Sequence, residues 1–168
     1  MTYMSIPVEI KRRACETRLV QFRPELSSST PRPLYLFPDV DELVTEPWED
    51  DVAEELAAVR VDFENYTMGG QVTATFKPTP NADLKRLQTK AKDVWEIRIQ
   101  SPALYRLFGF FAEQDVFIGF ALWERDHVDF DRDIEDARKV WAELFPNNTP
   151  LVSENINDYI SEAVVFLR

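Results

Sequence analysis

The chain has 168 residues, 45% hydrophobic and 12% aromatic, and carries a net charge of −11. That length suits one domain, and the apolar share suits a packed core, so wholesale disorder and a two-domain layout are disfavoured. The acidic balance argues against a surface that attracts polyanions as a whole, so any nucleic-acid contact has to rest on a local basic patch.

The first residues hold no apolar core before Lys11-Arg12-Arg13, and no signal peptide is expected. Cys15 is the single cysteine; it rules out an internal disulfide and fits a reducing, cytoplasmic location. Lys11, Arg12, Arg13, Arg18 and Arg23 form a basic opening, read either as a solvated face or as a charged contact surface. Residues 18–22 suit a short strand. Pro24, Ser27-Ser28-Ser29, Thr30-Pro31 and Pro33 predict a loop, and Leu34-Tyr35-Leu36-Phe37 a second strand.

From Asp39 to Glu64 the charge reverses, with eleven acidic residues against Arg60. Val52, Leu56, Val59 and Phe63 recur on one face of a 3.6-residue period and predict an amphipathic helix. Pro47 is expected in its first turn, with Glu46, Glu49, Asp50 and Asp51 at the positive end of the dipole. Its acidic outer face is expected to meet a basic surface, either the 85–92 segment of the same chain or a partner. Gly69-Gly70 ends the helix, and Val72, Ala74 and Phe76 alternate with threonines as a strand.

Residues 84–90 read as a short turn or helix carrying Lys85, Arg86, Lys90 and Lys92 nearby. Trp95, Ile97 and Ile99 alternate with Glu96, Arg98 and Gln100, which predicts a half-buried strand. After a Ser101-Pro102 turn, residues 104–111 and 116–123 follow as two apolar strands. The three strands predict an antiparallel meander inside an α+β fold, an antiparallel sheet packed with helices. Phe130, Ile134, Ala137, Trp141 and Leu144 line one face of a helix over 131–145, closed by Pro146. Ile156, Tyr159, Ile160, Ala163 and Leu167 predict a C-terminal helix within 150–168. The longest apolar runs are far shorter than the roughly 20 residues of a membrane span.

Leu84-Lys85-Arg86-Leu87, then Trp95-Glu96-Ile97-Arg98, Tyr105-Arg106-Leu107-Phe108 and Phe117-Ile118-Gly119-Phe120 precede a helix with Ile134-Glu135 and Ala137-Arg138. This order resembles the HigB branch of the RelE/ParE toxin superfamily, including its phage-borne members, over about residues 84–145. Residues 1–80 form an N-terminal extension outside the resemblance, all within one domain. The resemblance implies a curved antiparallel sheet, ribosome-dependent cleavage of mRNA without a metal or cofactor, and neutralisation by an antitoxin. RNA cleavage by 2′-hydroxyl attack needs a proton acceptor, cations on the phosphate and a donor to the leaving oxygen.

The candidates are Arg98 and Arg106, at the family's two arginine positions, with Arg125 and His127; Lys85, Arg86, Lys90 and Lys92 would hold RNA. Arg98 also has a structural role open to it, because Glu96 lies two residues away on the same strand face. The chain departs from the family where a lysine pair is expected: Trp123 and Glu124 stand there. A glutamate beside a phosphate repels where a lysine attracts. Two readings result, a toxin component or degenerate relative, and a non-catalytic interaction protein of phage origin on the same scaffold that binds an antitoxin or another protein. His127, among Asp126, Asp129, Asp131 and Asp133, could suggest a metal site, but aspartates before a helix serve as caps and dipole partners, and no metal is expected.

Overall fold

A computed structural model describes residues 6–16, 18–24, 31–77, 82–87, 91–99, 105–124, 130–162 and 164–165. The fold is α+β. The helices are α1 (Ile6–Cys15), α2 (Pro38–Val44), α3 (Ala53–Thr67) and α4 (Phe130–Leu144). The strands are β1 (Val20–Gln21), β2 (Leu34–Leu36), β3 (Thr73–Thr75), β4 (Leu84–Arg86), β5 (Val94–Ile99), β6 (Tyr105–Glu113), β7 (Val116–Glu124) and β8 (Val164–Val165). They form one sheet in the order β1-β2-β7-β6-β5-β4-β3-β8.

The expected meander is present: β5, β6 and β7 pair antiparallel in sequence. The whole sheet is mixed, because β2 joins β7 in parallel and β3 lies parallel to both β4 and β8. β6 and β7 read as near-continuous apolar runs because both their faces are covered. On one face Trp95, Ile97, Leu107 and Phe111 pack under Val59 and Phe63 of α3 and Val40 and Val44 of α2. On the other, Val94, Phe108, Phe110 and Ile118 pack under Ile134, Ala137 and Trp141 of α4 and Ile10 of α1. Trp95, Ile97, Leu107, Ile118, Ile134 and Trp141 are all buried.

Gly109 sits at a register shift between β6 and β7, where its missing side chain lets Phe117 and the Ile118 carbonyl close in. Arg138 of α4 makes a two-pronged contact with Asp93, at 2.9 and 2.6 Å, which fixes the helix against the start of β5. Arg13 donates to the Leu144 carbonyl at 2.9 Å and so caps the C-terminal end of α4. The basic opening is thus largely spent inside the molecule: Arg12 and Arg13 pair with the buried Glu9, and Arg18 reaches Glu143.

Several expectations fail. α3 begins at Ala53, and Pro47 lies outside it, after a cis Glu46–Pro47 bond. The turn or helix expected over 84–90 is the strand β4 as far as Arg86, because Leu84-Lys85-Arg86 pairs with Trp95, Glu96 and Ile97. β5 is buried on both faces, Glu96 included, and not half-buried. The C-terminal helix is replaced by a short 3₁₀ turn, Ile156–Asp158, followed by β8. The apolar spacing of Ile156, Tyr159 and Ile160 is real, but it serves to seat them in the core; the Tyr159 ring lies 4.7 Å from that of Trp95. Asp115 anchors this segment by accepting from the backbone N–H (2.9 Å) and hydroxyl (2.6 Å) of Ser161. Helices α1 and α2 were not expected from the sequence. Among the described residues no helix is long and apolar enough to cross a membrane.

Candidate functional site

β5 and β6 place the two arginine positions of the resemblance directly opposite each other, Arg98 beside Arg106. Strand alternation puts Glu96 on the same face, and the adjacent strand sets Lys85 opposite Glu96. The Glu96 carboxylate is fully buried and splits its two oxygens. Arg98 Nε donates to one at 2.6 Å, and an Arg106 guanidinium N–H donates to the other at 3.1 Å. The Arg98 side chain is 10% exposed and that of Arg106 27%. Burial lowers the Lys85 pKa; Glu96 pulls it back up, and the two arginines push it further down.

Among the described residues the cluster sets three cations, Lys85, Arg98 and Arg106, around the Glu96 carboxylate. An arginine stays protonated and cannot accept a proton at neutral pH. Arg98 and Arg106 can therefore hold negative charge but cannot act as a base, and both already spend donors on Glu96. Lys85, with its lowered pKa, is the group here closest to that role. Beside Arg106 the register places Trp123, whose ring packs on Phe108 at 5.2 Å. An indole thus stands at one of the two positions where the resemblance led a lysine pair to be expected. Glu124 points to the other face, where it and Glu55 flank the Tyr105 hydroxyl. Burial, then Glu55 and Glu124, push the Tyr105 pKa up to about 12, so the phenol stays protonated.

Of the four residues expected to hold RNA, the described ones, Lys85, Arg86 and Lys92, do not converge. Arg86 lies on the opposite sheet face from Lys85, stacked on the Phe76 ring at 3.9 Å and donating to the Ser153 carbonyl at 2.8 Å. Arg86 and Lys92 both pair with Glu154, at 3.2 and 2.9 Å. Hydrogen bonds from Lys92 and Arg86 lower the Glu154 pKa. Lys90, Arg125 and His127 lie outside the described residues. Among the described residues no ion pair joins the acidic face of α3 to Lys85, Arg86 or Lys92, and Glu54 is exposed. The lone basic residue of that stretch, Arg60, donates to the Val44 carbonyl at 3.0 Å and so caps α2, and its charge also acts on Asp41.

Two further features were not foreseen. A cavity of about 500 Å³ lies between the end of α3 and strands β3 to β5, with Asp62, Asn65, Gln71 and Asp83 on its wall. Burial, and then Asp83, raise the Asp62 pKa. The second feature is an apolar groove beside α2. The signal for it was present in the Val40, Leu43, Val44 spacing inside the acidic stretch, which marks a short amphipathic turn. Among the described residues no group of three or more His, Cys, Asp or Glu side chains could hold a metal ion. No family model, no curated protein and no solved structure matches this chain.

Proposed function

We propose that the chain is a degenerate relative of the RelE/HigB-type toxins that works as a non-catalytic protein-interaction module. The observation that carries this reading is the buried Glu96, which engages both Arg98 and Arg106 and so gives them a structural task. The dispersal of Lys85, Arg86 and Lys92 over two faces supports it, as does the net charge of −11. A residual ribosome-dependent mRNA interferase, held in check by an antitoxin, is the second reading. It is favoured by the excess of cations, Lys85, Arg98 and Arg106 against Glu96, on one sheet face.

Induced expression separates the two. The interaction module leaves growth normal at high expression, and the purified protein cleaves neither free RNA nor mRNA on ribosomes. Growth arrest with ribosome-dependent cleavage, abolished by Arg98→Ala with Arg106→Ala in a protein that still folds, would overturn it in favour of the toxin.

A further inference from the structure

Two depressions meet at Leu43 near the end of α2. One, of about 510 Å³, is lined by Leu43, Val52, Leu56, Tyr105, Leu122 and Glu124. The other, of about 330 Å³, runs between α2, β7 and α4, with Asp39, Val40, Asp133, Asp136 and Val140 along it. They share Leu43, Leu122 and Trp123, and so form one groove around the end of β7. We propose that this groove receives a basic peptide segment with apolar anchors from a protein partner. The inference rests on the interaction-module reading and names the surface that module uses.

The charge of the groove selects the occupant. Among its described lining residues there is no lysine or arginine, while Asp39, Glu124, Asp133 and Asp136 stand on it. Asp133 has an interaction of its own, and Asp136 is paired with Lys139 at 3.0 Å and Arg132 at 4.0 Å, so the steering charge rests on Asp39, Glu124 and the exposed acids near them. Asp39 is exposed, and so are Glu42, Glu46, Glu49, Asp50 and Asp51 in the chain that joins Asp39 to the lining residue Val52. A phosphate backbone would be repelled here, and a basic segment would be steered in. The floor is apolar, and Leu43, 52% exposed, offers its side chain at the junction. An exposed leucine flanked by further apolar wall suits an anchor residue.

The backbone adds a third element. β2 ends at Leu36, opposite Gly119, whereas β7 runs on to Glu124. Among the described residues no strand lies beside the last part of β7 on that side. Such an edge presents main-chain donors and acceptors to an incoming extended segment.

The test uses the full chain and labelled peptides followed by fluorescence anisotropy. The probe alternates Lys and Leu; controls of equal length alternate Lys with Ser and Glu with Leu. The Lys–Leu peptide is expected to bind, the Lys–Ser peptide roughly tenfold more weakly, and the Glu–Leu peptide not at all. Leu43→Glu and Asp39→Lys each weaken Lys–Leu binding by roughly tenfold, and added salt weakens it further. Thermal melts of both variants stay near wild type, since both side chains are exposed. Equal binding of the Glu–Leu peptide, or unchanged affinity in Leu43→Glu, overturns the proposal. So does a concentration-dependent dimer in sedimentation that Leu43→Glu abolishes, which would make a second copy of the chain the occupant. Photo-crosslinkers at Leu43, Val61 and Val152 in cells separate this inference from the reading beneath it. Crosslinks from Val61 or Val152 with none from Leu43 overturn the groove and spare the interaction module; no crosslink from any of the three overturns both. A protein captured from Leu43 supports the groove when its own basic segment, made as a peptide, displaces the Lys–Leu probe.

Discussion

Replacing Glu96 by alanine removes the carboxylate that pairs with both Arg98 and Arg106 and faces Lys85. The cost follows from burial. Arg98, 10% exposed, loses a 2.6 Å bond to a carboxylate in a place that water reaches poorly. Arg106, 27% exposed, rehydrates more easily and loses less. Breaking a buried pair from one side costs about 3–5 kcal/mol, of which the Arg98 arm carries the larger part. In a chain of this size that lowers the melting temperature by about 6–20 °C. Repulsion among the three cations adds to the loss at low salt and is screened at high salt, so the gap to wild type narrows as salt rises. Urea melts at two salt concentrations read both effects. The double variant Glu96→Met with Arg98→Met should recover much of the loss, because an apolar pair of similar volume needs no partner. A loss below about 1 kcal/mol for Glu96→Ala, the range of an exposed pair, would refute the reasoning and return Arg98 and Arg106 to a functional role.

Trp141→Ala should cost about 3–5 kcal/mol in denaturant melts, since Trp141 is buried against Phe110 and Phe145 and donates to the Asn148 carbonyl at 2.9 Å. Gly109→Ala should destabilise by about 3 kcal/mol or prevent folding, because its Cβ would lie 2.3 Å from the Ile118 carbonyl oxygen, which is backbone. Gly119→Ala should cost less in the same melts, because its Cβ meets the tip of Leu107 at 2.7 Å, and a side-chain tip can turn away. Asp62→Asn should raise stability at neutral pH. The folded-state pKa of Asp62 is raised, so a penalty on the fold builds as the pH rises through the ordinary aspartate range, is complete above the raised value, and is absent below the ordinary range. Thermal melts should show a gain at about pH 7 that disappears near pH 3; an equal gain at both would place its origin elsewhere.

The candidate site was legible in part. That Glu96 and Arg98 share a face follows from strand alternation alone, and the sequence reading allowed for their pairing. That Arg106 joins them depends on the register between β5 and β6, which no local pattern carries. Lys85 and Arg86 do not share a face because they are successive residues of a strand and point to opposite sides. In a turn or helix they could have acted together. Glu154, which occupies Arg86 and Lys92, comes from 68 and 62 residues away.

The sequence by itself determined the elements whose apolar period outlasts a turn or two: α3, α4 and the β5–β7 meander. Each must bury a continuous face, and that need is written in the spacing of its own residues. It also determined the charge asymmetry and the exclusion of a membrane-spanning run. Only the tertiary structure decided the short elements. α2, with seven residues, and β4, with three, are too brief to show a period and exist because neighbours complete their hydrogen bonds or cover their faces. The C-terminal stretch shows the same division. Its apolar residues were bound for the core on any reading, but whether the chain reached it as a helix or as a turn and an added strand was settled by β3, which offered an open edge to Val164–Val165.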